Sequence, residues 1–190
     1  EKKITKKTKA IMCVHILGLP TDMTKIQSIC KKRKLILFED TCESLGTTYN
    51  KKHLGTFGDY GMYSFYYSHQ ITSGEGGMVV CGSEKNYNIL KSLRSHGWSR
   101  DTKFHRDIVK KYKNLNENFL FINSGFNLRP TDIQAAIGNN QLKRLDKFIN
   151  IRNENREKII NCLKKSPKWI GQFNFINAKK NISPSWFGLA

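Results

Sequence analysis

The sequence predicts an α/β protein with a mixed, mostly parallel sheet flanked by helices, and three observations carry that prediction. Residues 10–14 and 35–38 are short apolar runs typical of buried strands. Between them, over residues 23–30, apolar side chains recur at helical spacing. Strand, helix and strand in this order form the unit that builds parallel sheets. Glu39 and Asp40 then end the second strand, at the sheet edge where such folds bind ligands.

Local signals place the next elements of the chain. Thr21 or Asp22 can cap the first helix, because a short polar side chain accepts hydrogen bonds from the free N–H groups of the first turn. Residues 60–67 and 78–81 are predicted strands. The polar, glycine-rich residues 68–77 are predicted to form the turn between them.

The second half of the chain is predicted to be mainly helical. Ser83 can cap a short helix. Residues 98–118 are charged and rich in asparagine without clear periodicity, so we expect a long surface or active-site loop there. Pro130 suits an early helix position, and apolar residues repeat from there to about residue 163, which predicts one or two long amphipathic helices. Pro167 is expected to end them.

The charge balance is strongly basic, with 33 Lys and Arg against 15 Asp and Glu and a formal charge of +18. Such an excess is typical of nucleic-acid-binding proteins. Here it is mostly lysine, spread along the whole chain and accompanied by many Asn and Ile residues, which AT-rich codons also produce. Arginine, which makes the bidentate contacts to phosphate and guanine, is the minority of the basic residues. We therefore favour codon bias and surface solvation, and keep a nucleic-acid-binding module as an alternative.

Cysteine usage and hydropathy narrow the class of protein further. The five cysteines are odd in number, widely spaced and without a CxxC pair, which fits neither a disulfide framework nor a four-cysteine zinc site. No apolar run is long enough to span a bilayer, and no signal peptide is visible. We expect a cytoplasmic protein with reduced cysteines, no bound metal and no membrane contact. The chain begins without Met and stops in apolar residues, so we also expect an excerpt of a longer protein.

Three segments carry the functional signal: residues 39–46 (EDTCESLG), 58–77 (GDYGMYSFYYSHQITSGEGG) and 123–136 (NSGFNLRPTDIQAA). Together and in this order they resemble the DegT/DnrJ/EryC1/StrS family of pyridoxal-phosphate enzymes, which modify nucleotide-linked sugars. The resemblance implies part of an aspartate aminotransferase type I fold. It also implies a homodimer with shared active sites.

The same resemblance implies a domain plan. Residues 1–129 would form the second part of a large cofactor-binding domain, and residues 130–165 the connecting long helix or helices. Residues 166–190 would begin a small C-terminal domain.

One position departs from most of the family. The residue before Gln70 is a lysine in the aminotransferases, where it forms a Schiff base with the cofactor; here it is His69. An imidazole cannot form that bond, although it can move protons near neutral pH. The pattern is similar to that of the 3-dehydratases, which use pyridoxamine phosphate to remove the C3 hydroxyl of a nucleotide-linked 4-keto-6-deoxyhexose in deoxysugar biosynthesis. In that case His69 is the catalytic proton-transfer base.

The resemblance also implies cofactor contacts. Asp40 matches the carboxylate that pairs with the pyridinium nitrogen, and Glu43 stands close to the ring oxygen. Ser64 matches a hydroxyl that contacts the phosphate, and Asn127 a residue that reaches the phosphate in the neighbouring subunit. Taken by itself, Asp40 fits a helix-cap or turn residue at a strand end better than a cofactor ligand, and the resemblance reverses that preference. Asn127 alone is equally consistent with a turn residue before a helix, and Glu43 nearly as consistent with a solvated loop residue.

A further cluster and the cysteine pattern complete the expectations. His96 and Arg100 lie in a segment that borders the substrate in the histidine-type enzymes, so they are candidates for contacting the sugar or its diphosphate. One branch of those enzymes carries an iron–sulfur cluster, which needs several neighbouring thiolates. This chain has no cysteine between Cys81 and Cys162. We therefore expect a cluster-free enzyme that regenerates pyridoxamine phosphate with glutamate. The remaining alternatives are a sugar aminotransferase and a decayed, cofactor-free relative.

Overall fold

The computed structural model describes residues 1–189, and the chain divides into two compact units. The first unit comprises Glu1–Val80 and Asp132–Ala190, and the second comprises Cys81–Thr131. These bounds differ from the predicted domain limits at residues 129 and 165. The predicted limits concern the domains of a longer protein and stay a prediction.

Seven strands and five α-helices make up the described residues. In chain order they are β1 (Ala10–Val14), α1 (Met23–Arg33), β2 (Ile36–Asp40), β3 (Thr48–Tyr49), β4 (Lys52–His53), β5 (Tyr60–Ser64), β6 (Gly77–Cys81), α2 (Glu84–Leu93), α3 (His105–Lys111), α4 (Asp132–Leu142), α5 (Leu145–Lys165) and β7 (Ile182–Ser183).

A four-stranded sheet with the order β1-β2-β5-β6 forms the centre of the first unit. Strands β1 and β2 pair in parallel, as do β2 and β5, which confirms the predicted α/β class. The register sets Val14 opposite Asp40, and Asp40 opposite Met62. The carboxyl ends of three neighbouring strands therefore meet beside Asp40, as the sequence predicts.

Helix α1 covers this sheet with an apolar face. Its N-cap is Asp22, whose carboxylate accepts a hydrogen bond from the Lys25 N–H at 3.2 Å. Met23 and Cys30 face inward and pack with Cys13 and Leu37 of the sheet. Met23 is fully buried, so truncating it to alanine should cost about 2–5 kcal/mol of folding free energy.

The C-terminal tail contributes a strand to the first unit. Strand β7 pairs antiparallel with β3 in a second sheet of order β4-β3-β7. The tail is held further by the Ser185 N–H, which donates to Thr47 Oγ1 at 2.9 Å, and by the Phe187 N–H, which donates to Leu17 O at 3.2 Å. These hydrogen bonds hold the residues near the C-terminus against the loops that follow β1 and β2.

The second unit corrects one prediction. Residues 98–118 do not form a single loop: they contain α3 and a short 3₁₀ turn over Glu117–Phe119. Helix α3 spans only seven residues, of which His105, Ile108 and Val109 are half-buried. A helix this short has too few turns for a helical period to be visible in the sequence. Helix α2 is capped by Ser83 as predicted, with the Ser83 hydroxyl accepting from the Asn86 N–H.

The long helices also follow the sequence pattern closely. Two helices, α4 and α5, occupy the predicted region, and α5 ends at Lys165, just before Pro167. Within residues 1–189, no helix combines the length and the apolar character needed to cross a membrane.

Candidate active site

Asp40 occupies the last position of β2, where its carboxylate is half-buried at the sheet edge. Its Oδ1 accepts a hydrogen bond from the Cys42 N–H at 3.0 Å. Burial, together with a hydrogen bond to the Asp40 carboxylate, raises the pKa of the Cys42 thiol to about 12. The thiol therefore stays protonated at neutral pH.

Glu39, the preceding residue, points into the protein and is fully buried. Its carboxylate accepts hydrogen bonds from the N–H groups of Phe57 and Gly58, both at 2.6 Å, from the Gly55 N–H at 2.9 Å and from His15 Nε2 at 3.3 Å. Burial alone would raise the pKa of Glu39, but these donors outweigh it and hold the pKa below its ordinary value. Glu39 thus joins β1, β2 and the loop before β5.

The His15 ring is oriented by its other nitrogen. The Thr21 N–H donates to His15 Nδ1 at 3.2 Å, so Nε2 carries the proton and donates to Glu39. The Ser44 hydroxyl donates to His15 O at 2.6 Å and ties the turn after Asp40 to the end of β1. Sequence reasoning did not single out His15; its position directly after a predicted strand, at the same sheet edge as Asp40, is the signal that could have found it.

Glu43 lies in the turn after β2 and is half-buried. Its Oε2 accepts a hydrogen bond from the Leu17 N–H at 2.9 Å, and Leu17 has the left-handed φ of 55°. Its backbone carbonyl accepts from Gln70 Nε2 at 2.7 Å. The predicted site residue Glu43 is therefore connected to His69 through the adjacent Gln70. A contact between Glu43 and a cofactor ring stays a prediction.

His69 is half-buried at the start of the glycine-rich loop. Its N–H donates to Tyr66 O at 3.1 Å, and its ring lies between those of Tyr66 and Phe187, with centroids 5.8 and 5.4 Å away. The ring nitrogen Nδ1 is buried and has no hydrogen-bond partner among residues 1–189. A buried polar atom without a partner is costly in a protein interior, so this nitrogen is suited to a bound ligand or to proton transfer.

Ser64 ends β5, the strand that pairs with β2 beside Asp40. Its hydroxyl accepts a hydrogen bond from the Tyr66 N–H at 3.2 Å. The following loop is held to β5 because the Phe65 N–H donates to Gly76 O at 2.9 Å. Gly74, with a φ of 84°, is exposed and has open space where a side chain would stand, so the loop can approach a ligand closely.

The second unit contains the other predicted contacts. His96 and Arg100 surround the Trp98 indole: the His96 ring lies 5.5 Å away and the Arg100 guanidinium stacks over it at 4.3 Å. Asn127 forms an isolated antiparallel bridge with Ser95. These three predicted residues therefore belong to one aromatic and basic cluster within this unit. Their assignment to substrate or cofactor stays a prediction.

No metal-binding cluster is formed within the described chain. Among residues 1–189, no group of three or more His, Cys, Asp or Glu side chains is arranged to hold a metal ion. The five cysteines are free, two of them buried, two half-buried and one exposed.

Comparison with known proteins identifies close relatives. The family model described as the DegT/DnrJ/EryC1/StrS aminotransferase family matches residues 1–187. GDP-4-keto-6-deoxy-D-mannose 3-dehydratase of Escherichia coli O55:H7 is 38% identical over 100% of this chain and 48% of its own length. GDP-perosamine synthase of Escherichia coli O157:H7 is 40% identical over 81% of this chain and 38% of its own length.

A solved structure resembles the fold over nearly the whole chain. It is that of GDP-4-keto-6-deoxymannose-3-dehydratase with a trapped PLP-glutamate geminal diamine, with a TM-score of 0.79 and 36% identity over 99% of this chain and 48% of that one. The chain spans less than half the length of each of these relatives.

Proposed function

The chain belongs to the DegT/DnrJ/EryC1/StrS aminotransferase family, and from that membership we propose that it removes the C3 hydroxyl of a nucleotide-linked 4-keto-6-deoxyhexose. The cofactor would be pyridoxamine phosphate, and the reaction a dehydration followed by loss of ammonia. Similarity to a GDP-sugar 3-dehydratase supports a GDP-linked hexose as the first substrate to test. A cytoplasmic location is supported by five free cysteines.

The observation that carries the proposal is His69. It stands where the family's aminotransferases have lysine, and its buried Nδ1 lacks a partner in the described chain. A histidine here removes covalent attachment of the cofactor but keeps a group that moves protons near neutral pH.

The residues of the first unit fit this cofactor. The half-buried Asp40 carboxylate is suited to a protonated pyridine nitrogen, and Ser64 on the neighbouring strand offers a hydroxyl for the phosphate. Gly74, in the exposed loop after β5, has open space where a side chain would stand. The unpaired His69 Nδ1 is the buried polar atom that such a ligand site would explain.

When bound, pyridoxamine phosphate supplies an amine that condenses with the C4 ketone and a ring that accepts electrons as the C3 hydroxyl leaves. Asp40 would hold the proton on the ring nitrogen, and the Cys42 N–H keeps the Asp40 carboxylate in place. His69 takes a proton from the cofactor carbon C4′ and can pass it to the departing hydroxyl. The rings of Tyr66 and Phe187 pack against the imidazole and hold it in position.

The amine must be replaced after each turnover, and glutamate is the donor that we propose. The overall reaction then balances: hexose plus glutamate gives 3-deoxyhexose, 2-oxoglutarate and ammonia. The relative with a trapped PLP-glutamate adduct supports this choice. Regeneration by an amino acid needs neither a reductase nor an iron–sulfur cluster. We also propose that the enzyme is a homodimer in which Asn127 serves the other subunit's site.

Product analysis tests the proposed function. The full-length protein is incubated with the GDP-linked 4-keto-6-deoxyhexose, pyridoxal phosphate and glutamate, and the sugar is identified by mass spectrometry. We expect a product one oxygen atom lighter than the substrate, with ammonia and 2-oxoglutarate in equal amounts. The aminotransferase alternative, favoured by the similarity to GDP-perosamine synthase, predicts an amino sugar that keeps its C3 oxygen and no ammonia.

A further inference from the structure

A cavity of about 300 Å³ lies beside His69 in the first unit. It is bounded by the loop after β5 and by one face of helices α4 and α5. Its walls include the polar side chains of Tyr67, Thr72, Gln141 and Arg152 and the apolar ones of Phe148 and Ile151. A lining that combines polar and apolar side chains suits a small amphipathic anion.

Arg152 carries the fixed charge of this cavity. Its guanidinium lies 5.6 Å from the centre of the Phe187 ring, and its Nη1 donates to Phe187 O at 3.4 Å. That hydrogen bond uses one of the five N–H donors of the guanidinium. The remaining donors are available in the fork geometry that binds a carboxylate through two parallel hydrogen bonds.

Arg152 lies near the proposed catalytic residue, His69. The Phe187 ring is near both groups: its centre lies 5.6 Å from the Arg152 guanidinium and 5.4 Å from the centre of the His69 ring. His69 and Arg152 also line the same cavity. A small molecule reacting beside His69 can extend a second polar group to Arg152.

The charge of the cavity selects the kind of anion. Among its lining residues, all within the described chain, Arg152 alone has a permanent positive charge, and none is acidic. One guanidinium matches the single charge of a carboxylate better than the two charges of a sugar-nucleotide diphosphate. Phe148 and Ile151 can cover the methylene groups of an amino acid.

We propose that Arg152 binds a carboxylate of the amino-acid donor that regenerates the amine form of the cofactor. This assignment rests on the proposed function. Arg152 would act in the regeneration half of the cycle and take no part in removal of the C3 hydroxyl.

The test measures the two halves of the cycle separately in the full-length protein. For Arg152→Gln we expect the glutamate KM to rise at least tenfold, while single-turnover dehydration by protein preloaded with pyridoxamine phosphate stays within twofold of the wild type. Arg152→Lys, which keeps the charge, should recover part of the loss. Calorimetry with glutarate on the cofactor-free protein supplies a binding readout, and Arg152→Gln should weaken glutarate binding at least tenfold.

Two control variants separate charge from structure. Asn153→Ala removes the hydrogen bond from Asn153 Nδ2 to Pro184 O, another contact to the segment that holds Phe187, without removing a charge. Lys147→Gln removes a charge from an exposed position on α5, outside the cavity. Both should keep the wild-type glutamate KM.

Three results would overturn the assignment. They are an unchanged glutamate KM in Arg152→Gln, an equal loss in Asn153→Ala, or a rise in the KM for the sugar nucleotide instead of glutamate. Failure of the proposed function itself looks different, because the wild-type protein would then release no ammonia with any donor.

Discussion

Two adjacent carboxylates at the end of β2 have opposite environments, and their separate roles follow from strand geometry. Successive side chains of a strand point to opposite faces of the sheet. Glu39 is fully buried and saturated with hydrogen bonds, whereas Asp40 is half-buried and bound on one side to Cys42. The buried residue therefore organises the structure, and its neighbour remains available to a ligand.

Asp40→Asn should weaken pyridoxamine-phosphate binding by one to two orders of magnitude. A hydrogen bond between charged groups contributes about 1.5–3 kcal/mol, and a neutral amide cannot hold the proton on the pyridine nitrogen. Equilibrium titration of the full-length protein with the cofactor measures the effect. Asp22→Asn is the matched control, since asparagine caps a helix as well as aspartate does. An unchanged titration for Asp40→Asn would make Asp40 only a turn residue.

At the scale of helices and strands, the sequence predicts those elements whose formation depends on residues adjacent in the chain. Strands β1 and β2, helix α1 and its cap follow from local periodicity and are confirmed. The pairing of β3 with β7 joins residues far apart in the chain, so no local sequence pattern predicts it. His15 was missed because its position after a predicted strand is a weak signal by itself, and its role becomes clear only when the fold brings Glu39 beside it.

The hydrogen bonds to Glu39 make the free energy of unfolding depend on pH. The pKa of Glu39 is lowered by folding, so its ionised form stabilises the protein above the ordinary pKa of 4.5. This contribution is lost as the pH falls from there through the lowered pKa. Urea unfolding at pH 7 should show Glu39→Gln less stable by about 1–3 kcal/mol, because the NH2 group that replaces one carboxylate oxygen cannot accept the hydrogen bonds of the backbone donors.

The difference between wild type and Glu39→Gln should shrink as the pH falls below 4.5. Glu154→Gln, an exposed residue with an i,i+4 lysine partner at 3.6 Å, serves as the control and should change stability by less than about 1 kcal/mol. If Glu39→Gln were as stable as the wild type at pH 7, the hydrogen-bonded carboxylate would not organise this sheet edge.

For the whole molecule, the division of the predicted site between two units bears on assembly. Asp40, Glu43, Ser64 and His69 lie in the first unit, and His96, Arg100 and Asn127 lie in the second. The three motifs supplied Asp40, Glu43, Ser64, His69 and Asn127 as candidates, and the segment after α2 supplied His96 and Arg100. The pattern alone cannot say which subunit a residue serves, because that depends on a partner chain.

Mixing two inactive variants tests the shared sites. His69→Ala damages a subunit's own site, and Asn127→Ala is expected to damage the site of its partner. A mixed dimer should therefore carry both lesions in one site and leave the other intact, so the mixture should regain activity that neither variant has alone. Mixed dimers that form, as native mass spectrometry can show, and yet stay inactive would place Asn127 in its own subunit's site.

The central claim is that His69 makes this family member a dehydratase. A single turnover tests it most directly, with full-length protein loaded with pyridoxamine phosphate and given the GDP-linked 4-keto-6-deoxyhexose without glutamate. We predict one equivalent each of ammonia, pyridoxal phosphate and 3-deoxy sugar per site for the wild type, and none of the three for His69→Asn. A 4-amino sugar that keeps its C3 oxygen, or equal dehydration by His69→Asn, would contradict the account.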